Sequence, residues 1–307
     1  MSEGEETQTD PPEGTTEIFL PPPYDYNLGA FDNEETSPDL TLVIQGLEKP
    51  LRLHKSTLCK ISKFIDRVLR EMRGKGEDEN KIEWGFDVTK DVDKQVIEKA
   101  LRFCYGGCVR VGVKDGECCA MIAVLKRLEV VCEDSVSDHL ITFARDESKK
   151  DLNVGVDLLK HVQEYQECID KRMGQVLAAV VITKKNMMEH FDIVQDCLMT
   201  LPSEYLDMVE YEEGYGERSE FWVKMRYIRE HKELRKEEKE RIMKSCNWDG
   251  LSAQELKELI EHEAAGVESL RDICEALLRR EEDEIDEQKK GLETVENEKE
   301  KQRKQSL

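Results

Sequence analysis

Ten cysteines and six histidines are the side chains of this 307-residue chain best suited to metal or nucleophilic chemistry. The cysteines stand at 59, 104, 108, 118, 119, 132, 168, 197, 246 and 274, and no two form a C-x-x-C pair. Cys104, Cys108, Cys118 and Cys119 are the one group dense enough to suggest zinc. Their spacing lacks the paired form of a finger, and no histidine accompanies them. Leu101-Arg102-Phe103-Cys104-Tyr105 shows the commoner setting, a thiol among apolar neighbours, which suits a small buried group in a reducing compartment. His54 could act as a general base only with a nucleophile and an orienting carboxylate beside it, and its sequence neighbours supply no such set. It is expected to be a structural histidine that donates to backbone at a strand–helix junction. Gly-rich phosphate loops, H-E-x-x-H, G-x-S-x-G and kinase triplets are all absent. The sequence therefore predicts no enzyme, no metal and no cofactor.

Charge narrows the partners. Against 46 Lys and Arg stand 68 Asp and Glu, a net charge of −22, so a nucleic acid or an anionic bilayer would be repelled over most of the surface. No run of eighteen apolar residues and no basic-then-apolar leader occurs, so neither a membrane nor secretion is expected. The expected location is cytoplasmic or nuclear, and the expected partners are proteins.

The elements that would position these side chains follow from periodicity. The first 37 residues hold ten acids and no Lys or Arg, with two proline clusters, and read as a disordered tail. Within it Pro21-Pro22-Pro23-Tyr24 fits the P-P-x-Y pattern that WW domains read in polyproline II form, or is a plain spacer. Leu40-Thr41-Leu42-Val43-Ile44 reads as a strand, and Leu51-Arg52-Leu53 as its hairpin partner. Leu58, Ile61, Ile65, Val68 and Leu69 then share one helix face, which predicts a single helix ending before Arg73. A strand near Ile82-Glu83-Trp84 follows, then a helix through Val96, Ala100, Leu101 and Phe103 that Tyr105-Gly106-Gly107 stops. A strand from Val109 to Val113 and a small-residue helix over Cys118 to Leu125 complete an α/β unit.

These residues resemble the BTB/POZ family in order and spacing. Asp39-Leu40-Thr41-Leu42-Val43 is similar to its opening strand and Leu53-His54-Lys55-Ser56-Thr57-Leu58 to its "A-H-R-x-x-L" stretch. Ser62-Lys63-Phe64 is similar to the "S-x-Y/F-F" segment, and Leu101-Arg102-Phe103-Cys104-Tyr105-Gly106-Gly107 to the "L-x-F-x-Y-T-G" signature. The resemblance covers residues 38–143, about a third of the chain. It implies an adaptor that self-associates or docks a cullin scaffold to present substrates for ubiquitin transfer, or a scaffold that oligomerises without ubiquitin chemistry. His54, Ser62, Phe64, Phe103, Tyr105 and Gly106 would be its structural signature. Asp39 and Lys55 would form the charged pocket of family dimers, unless Asp39 merely caps a turn and Lys55 is solvated. Two features of family members are missing: an amphipathic helix before the first strand, and a hydrophobic-x-Glu triplet within residues 74–80. Self-association and cullin docking are therefore separate expectations.

Downstream, apolar residues recur at helical spacing: Val154-Leu158-Leu159-Val162, Met173-Val176-Leu177-Val180, and Met187-Phe191-Val194-Leu198. Met187-Met188 and Phe221-Trp222 could line a ligand groove or, as such residues more often do, fill a core. Residues 144–264, which include a capping box from Ser252 to Glu255, are expected to be all-helical and similar to the BACK region of kelch-type adaptors. No kelch repeat follows. Residues 265–307 read as a charged helix: 18 of the 26 residues 279–304 are charged. Leu278, Ile285 and Leu292 make one heptad seam, so this helix is either a weak coiled coil or a solvated single helix. The fold class expected is α+β.

Overall fold

The computed structural model describes residues 12–19, 31, 33–85, 91–106, 108–166, 169, 171–209 and 220–244. The Pro-Pro-Pro-Tyr motif, the Ser252–Glu255 box and the charged helix of residues 265–307 lie outside the described residues. The fold is mixed α+β. It divides into two compact units, Met1–Val181 and Ile182–Leu307.

The acidic leader contributes a strand to the first unit, which its composition did not suggest. β1 (Thr15–Ile18) runs antiparallel to β5 (Val109–Gly112), with Thr15 opposite Gly112 and Ile18 opposite Val109. Two threonines and an isoleucine suit an extended backbone. What orders them is a distant partner: Val111 supplies a buried opposing face, Arg110 pairs with Glu17 at 2.8 Å, and Thr16 bonds the His139 ring at 2.9 Å.

The second sheet has the order β3-β2-β4. β2 (Leu40–Ile44) forms an antiparallel hairpin with β3 (Leu51–Leu53) and pairs in parallel with β4 (Lys81–Trp84). Leu40, Leu42 and Ile44 are buried while Thr41 and Val43 are less so, which is the period of two expected of a one-sided strand. A parallel partner requires a crossover, and helices fill it.

That crossover is broken, where the periodicity predicted one helix. α1 (Lys55–Ile61) ends at Ser62, whose extended backbone (φ −106°, ψ 109°) bridges to Val130, and α2 (Lys63–Lys75) begins after it. Ser62 Oγ donates to the Leu128 carbonyl at 2.5 Å and accepts from the Ile65 N–H at 3.1 Å, so one side chain caps α2 and pins the break to a remote turn. The helix also runs past Arg73 to a left-handed cap at Gly76.

α3 (Asp91–Cys104) leads to β5 and then to α4 (Glu117–Arg127), in which residues 118–125 are all buried. A helix apolar all round must be surrounded, and α3, β5, α5 (Glu133–Lys150) and α6 (Leu152–Glu164) pack against α4. α7 (Lys171–Val181) packs on α5 and α6. The sequence divided the chain at 143/144, whereas the compact unit extends to Val181. The Tyr165 hydroxyl donates to the buried Asp93 carboxylate at 2.6 Å, and the Cys119 thiol reaches the Leu158 carbonyl at 3.9 Å, joining α6 to α3 and α4. Burial, then that carboxylate, pushes the Tyr165 phenol pKa far up, so the hydroxyl remains a donor.

In the second unit α8 (Lys184–Glu189) and α9 (Phe191–Leu198) replace the single run expected, with a break at His190. A 3-10 turn (Ser203–Met208), α10 (Glu220–Glu230) and α11 (Lys236–Lys244) follow. Leu198, Leu206, Val223, Met225, Ile242 and Met243 form the core. Tyr227 donates to the Leu201 carbonyl at 2.7 Å, and burial raises its phenol pKa to about 12. Lys224 is buried yet compensated: its ammonium lies 2.5 Å from Glu220 and 3.7 Å from Asp207.

Candidate functional site

His54, Phe103, Tyr105 and Gly106 form a joint between the β2-β3 hairpin and the helices α1 and α3. Tyr105 is fully buried at the end of α3. Its oxygen accepts the His54 backbone N–H at 2.6 Å, and its hydroxyl lies 3.2 Å from His54 Nδ1. His54 Nε2 lies 3.1 Å from the Thr36 carbonyl. A carbonyl can only accept, so the proton sits on Nε2 and Nδ1 takes the tyrosine hydroxyl. Every polar atom in this triangle is thereby used. Phe31 packs edge-on against Tyr105 with centroids 5.5 Å apart, and the Arg102 guanidinium lies 5.3 Å over Phe31. Phe103 is fully buried, and Gly106 takes the left-handed conformation (φ 82°) that ends the helix. His54 therefore bridges α1 to the residues before β2, as a structural histidine would.

Asp39 and Lys55 do meet, though backbone makes the contact. Asp39 Oδ1 accepts the Lys55 N–H at 2.8 Å, capping α1 from the residue just before β2, since His54 at the N-cap offers no side-chain bond. The Lys55 ammonium donates to Asn80 Oδ1 at 2.8 Å. Charge is spent on holding α1 against β2 and the start of β4.

Ser62 and Phe64 belong to a second joint. Phe64 is half-buried, tilted against Trp84 at 6.1 Å, with Arg67 5.9 Å over its ring. Arg67 also grips Glu129 through two bonds, at 2.9 and 2.6 Å, in the turn that receives Ser62. That guanidinium holds the Glu129 carboxyl below its ordinary range. Sequence reading missed Arg67 and Glu129. Their only signal was opposite charge at a separation of 62 residues, which has no meaning before the chain folds.

Cys104, Cys118 and Cys119 are buried and Cys108 is exposed. Burial pushes the Cys104 thiol to about 12, and the Cys118 bond followed by burial raises Cys119 as well. Among the described residues no three His, Cys, Asp or Glu groups are arranged to hold a metal. Among them no helix is long and apolar enough to cross a membrane. Met187 is core and Met188 is exposed, so this pair does not line one groove. A cleft of about 210 Å³ opens beside β1, lined by Ile18, Phe19, Cys132, Val136 and His139.

Compared with protein-family models and with curated proteins, the chain matches none.

Proposed function

We propose that residues 38–143 form a BTB/POZ-type protein-interaction module and that the chain is a non-catalytic adaptor, with a BACK-like helical region beyond that module. The observation that carries this reading is the joint around Tyr105. His54, Phe103, Tyr105 and Gly106 lie at the meeting of the β2-β3 hairpin with α1 and α3, each in a framework role and none poised for chemistry. The sheet order β3-β2-β4, one antiparallel and one parallel pair, with helices α1 and α2 in the crossover, supports the same module. Seven free thiols among the described residues support a reducing compartment, the cytosol or nucleus.

The adaptor would present substrates to a cullin-RING ubiquitin ligase. The second reading, a scaffold that self-associates without a cullin, is favoured by residues 74–80. There α2 ends in Gly74-Lys75-Gly76 and turns through Glu77, Asp78 and Glu79 with no apolar anchor ahead of a glutamate.

Affinity purification of the tagged full chain from cell extract, with the molar mass measured by light scattering, separates the two. A co-purifying cullin supports the adaptor; its absence together with a stable oligomer supports the scaffold. A monomer that retains no protein partner would overturn both. Lys55→Glu probes the charged pocket without removing the Asp39 cap, because the capped group is backbone. Loss of the oligomer in this variant would place Lys55 at the interface; an unchanged mass would remove it.

A further inference from the structure

Residues 55–75 carry seven bases (Lys55, Lys60, Lys63, Arg67, Arg70, Arg73, Lys75) and two acids (Asp66, Glu71), in a chain whose net charge is −22. Three of the seven share one face of α2. In α2, Ile65 and Leu69 are buried, while Lys63, Arg67 and Arg70 fall at i, i+4 and i+7 on the opposite side and are exposed. The Arg67 and Arg70 side chains retain 52% and 74% of their accessibility. Gly74 continues the same line, and nothing lies within 4 Å of where its Cβ would be, so the line ends in open space. Lys60 and Lys63 are exposed, and the Lys63 charge lies near enough to Glu129 to help hold that carboxyl below its ordinary range.

Carboxylates already gather on this face. Arg67 is bidentate on Glu129, Arg70 meets Asp66 at 2.6 Å, and Arg73 is bidentate on Glu79. Exposed pairs of this kind contribute little to stability, so an incoming carboxylate exchanges with them cheaply. Guanidinium forks also fit carboxylates in a planar, two-bond geometry that a lysine cannot match.

We propose that the outward face of α2, built on Lys63, Arg67 and Arg70, docks an acidic peptide segment of a partner protein. The proposal rests on the protein-interaction reading and gives that partner a chemistry. A second copy is a poor occupant, because a two-fold interface would set this basic face against itself. A nucleic acid is disfavoured by the acidity of the rest of the chain, which a short peptide does not have to approach.

The test is fluorescence anisotropy of a labelled (Glu-Asp)5 peptide titrated with the full chain. Saturable binding is expected at about 0.03 M ionic strength and should weaken markedly at about 0.3 M, where the screening length falls to several ångströms. Lys63→Gln with Arg70→Gln spares the buried face and the Arg67–Glu129 pair. It should weaken binding roughly tenfold. Lys185→Gln with Lys232→Gln, the same charge change in the second unit, should leave it unaltered. Circular dichroism verifies that each variant is folded. No saturable binding, or equal losses in both double variants, would overturn the proposal. So would a (dT)10 oligonucleotide that competes as tightly as the unlabelled peptide, since that marks a generic polyanion surface. Failure here leaves the cullin and self-association outcomes untouched, because those are read by co-purification and molar mass.

Discussion

The Tyr105 hydroxyl gives the joint its uniqueness, because it is acceptor and donor at once. Tyr105→Phe keeps the ring packing and strands the His54 N–H and Nδ1. The expected cost is about 1–2 kcal/mol, read as a lower urea midpoint with an unchanged slope. A midpoint equal to wild type would show that water replaces the hydroxyl at no cost. The Arg67–Glu129 clasp yields a pH signature. Glu129 has a folded pKa below its ordinary 4.5, so its contribution is fully present above pH 4.5 and is lost as the pH falls through the folded value. Arg67→Gln should therefore be slightly less stable than wild type at neutral pH, as for other exposed pairs, and that small gap should close in acid. A gap that stays constant as the pH is lowered well below 4.5 would mean that packing over Phe64 and not charge is what Arg67 supplies.

At the scale of elements, the first unit depends on close approach between helices. A Cβ on Gly155 of α6 would stand 2.7 Å from Val181 Cγ2 and 3.0 Å from Ser148 Cβ, so α5 and α7 both press on this glycine. Gly155→Ala gains about 1 kcal/mol of helix propensity and meets an overpacking penalty of about 1–3 kcal/mol, a net loss in thermal or urea unfolding. Val181→Ala should recover part of that loss, and a double-mutant cycle measures the coupling. Additive effects would refute the clash. Helix existence here was legible from apolar spacing, but the breaks were not. Ser62 continues a helical pattern in sequence, and only the Leu128 carbonyl and Val130, more than sixty residues away, pull it into the extended region. β1 was hidden for the same reason, since four residues in an acidic leader declare themselves a strand only when β5 is present.

At the scale of the whole molecule, the described residues carry two cores, one around α4 and one around Val223 and Met243. Leu125→Ala and Val223→Ala each open a cavity at a fully buried site, at a cost of about 2–4 kcal/mol. Calorimetry should show two transitions, each lowered by its own substitution alone. A single transition moved by both would mean that the two units unfold as one. The contact division at Val181 has no counterpart in the periodicity, because α5, α6 and α7 have the same amphipathic period as the helices that follow. Which core an apolar stripe joins is decided by partners such as Asp93 for Tyr165.

The sequence alone determined the net acidity, the β2-β3 hairpin and the small-residue helix that becomes α4. Composition, period and short spacing are local quantities and need no partner to be read. Only the tertiary structure decided that Asp39 caps α1 through backbone, that His54 and Tyr105 close one hydrogen-bonded triangle, and that Arg67 finds Glu129. Each of those contacts joins residues far apart in the chain, and a hydrogen bond or ion pair has a direction and a length that exist only once both partners have been brought to within about 3 Å.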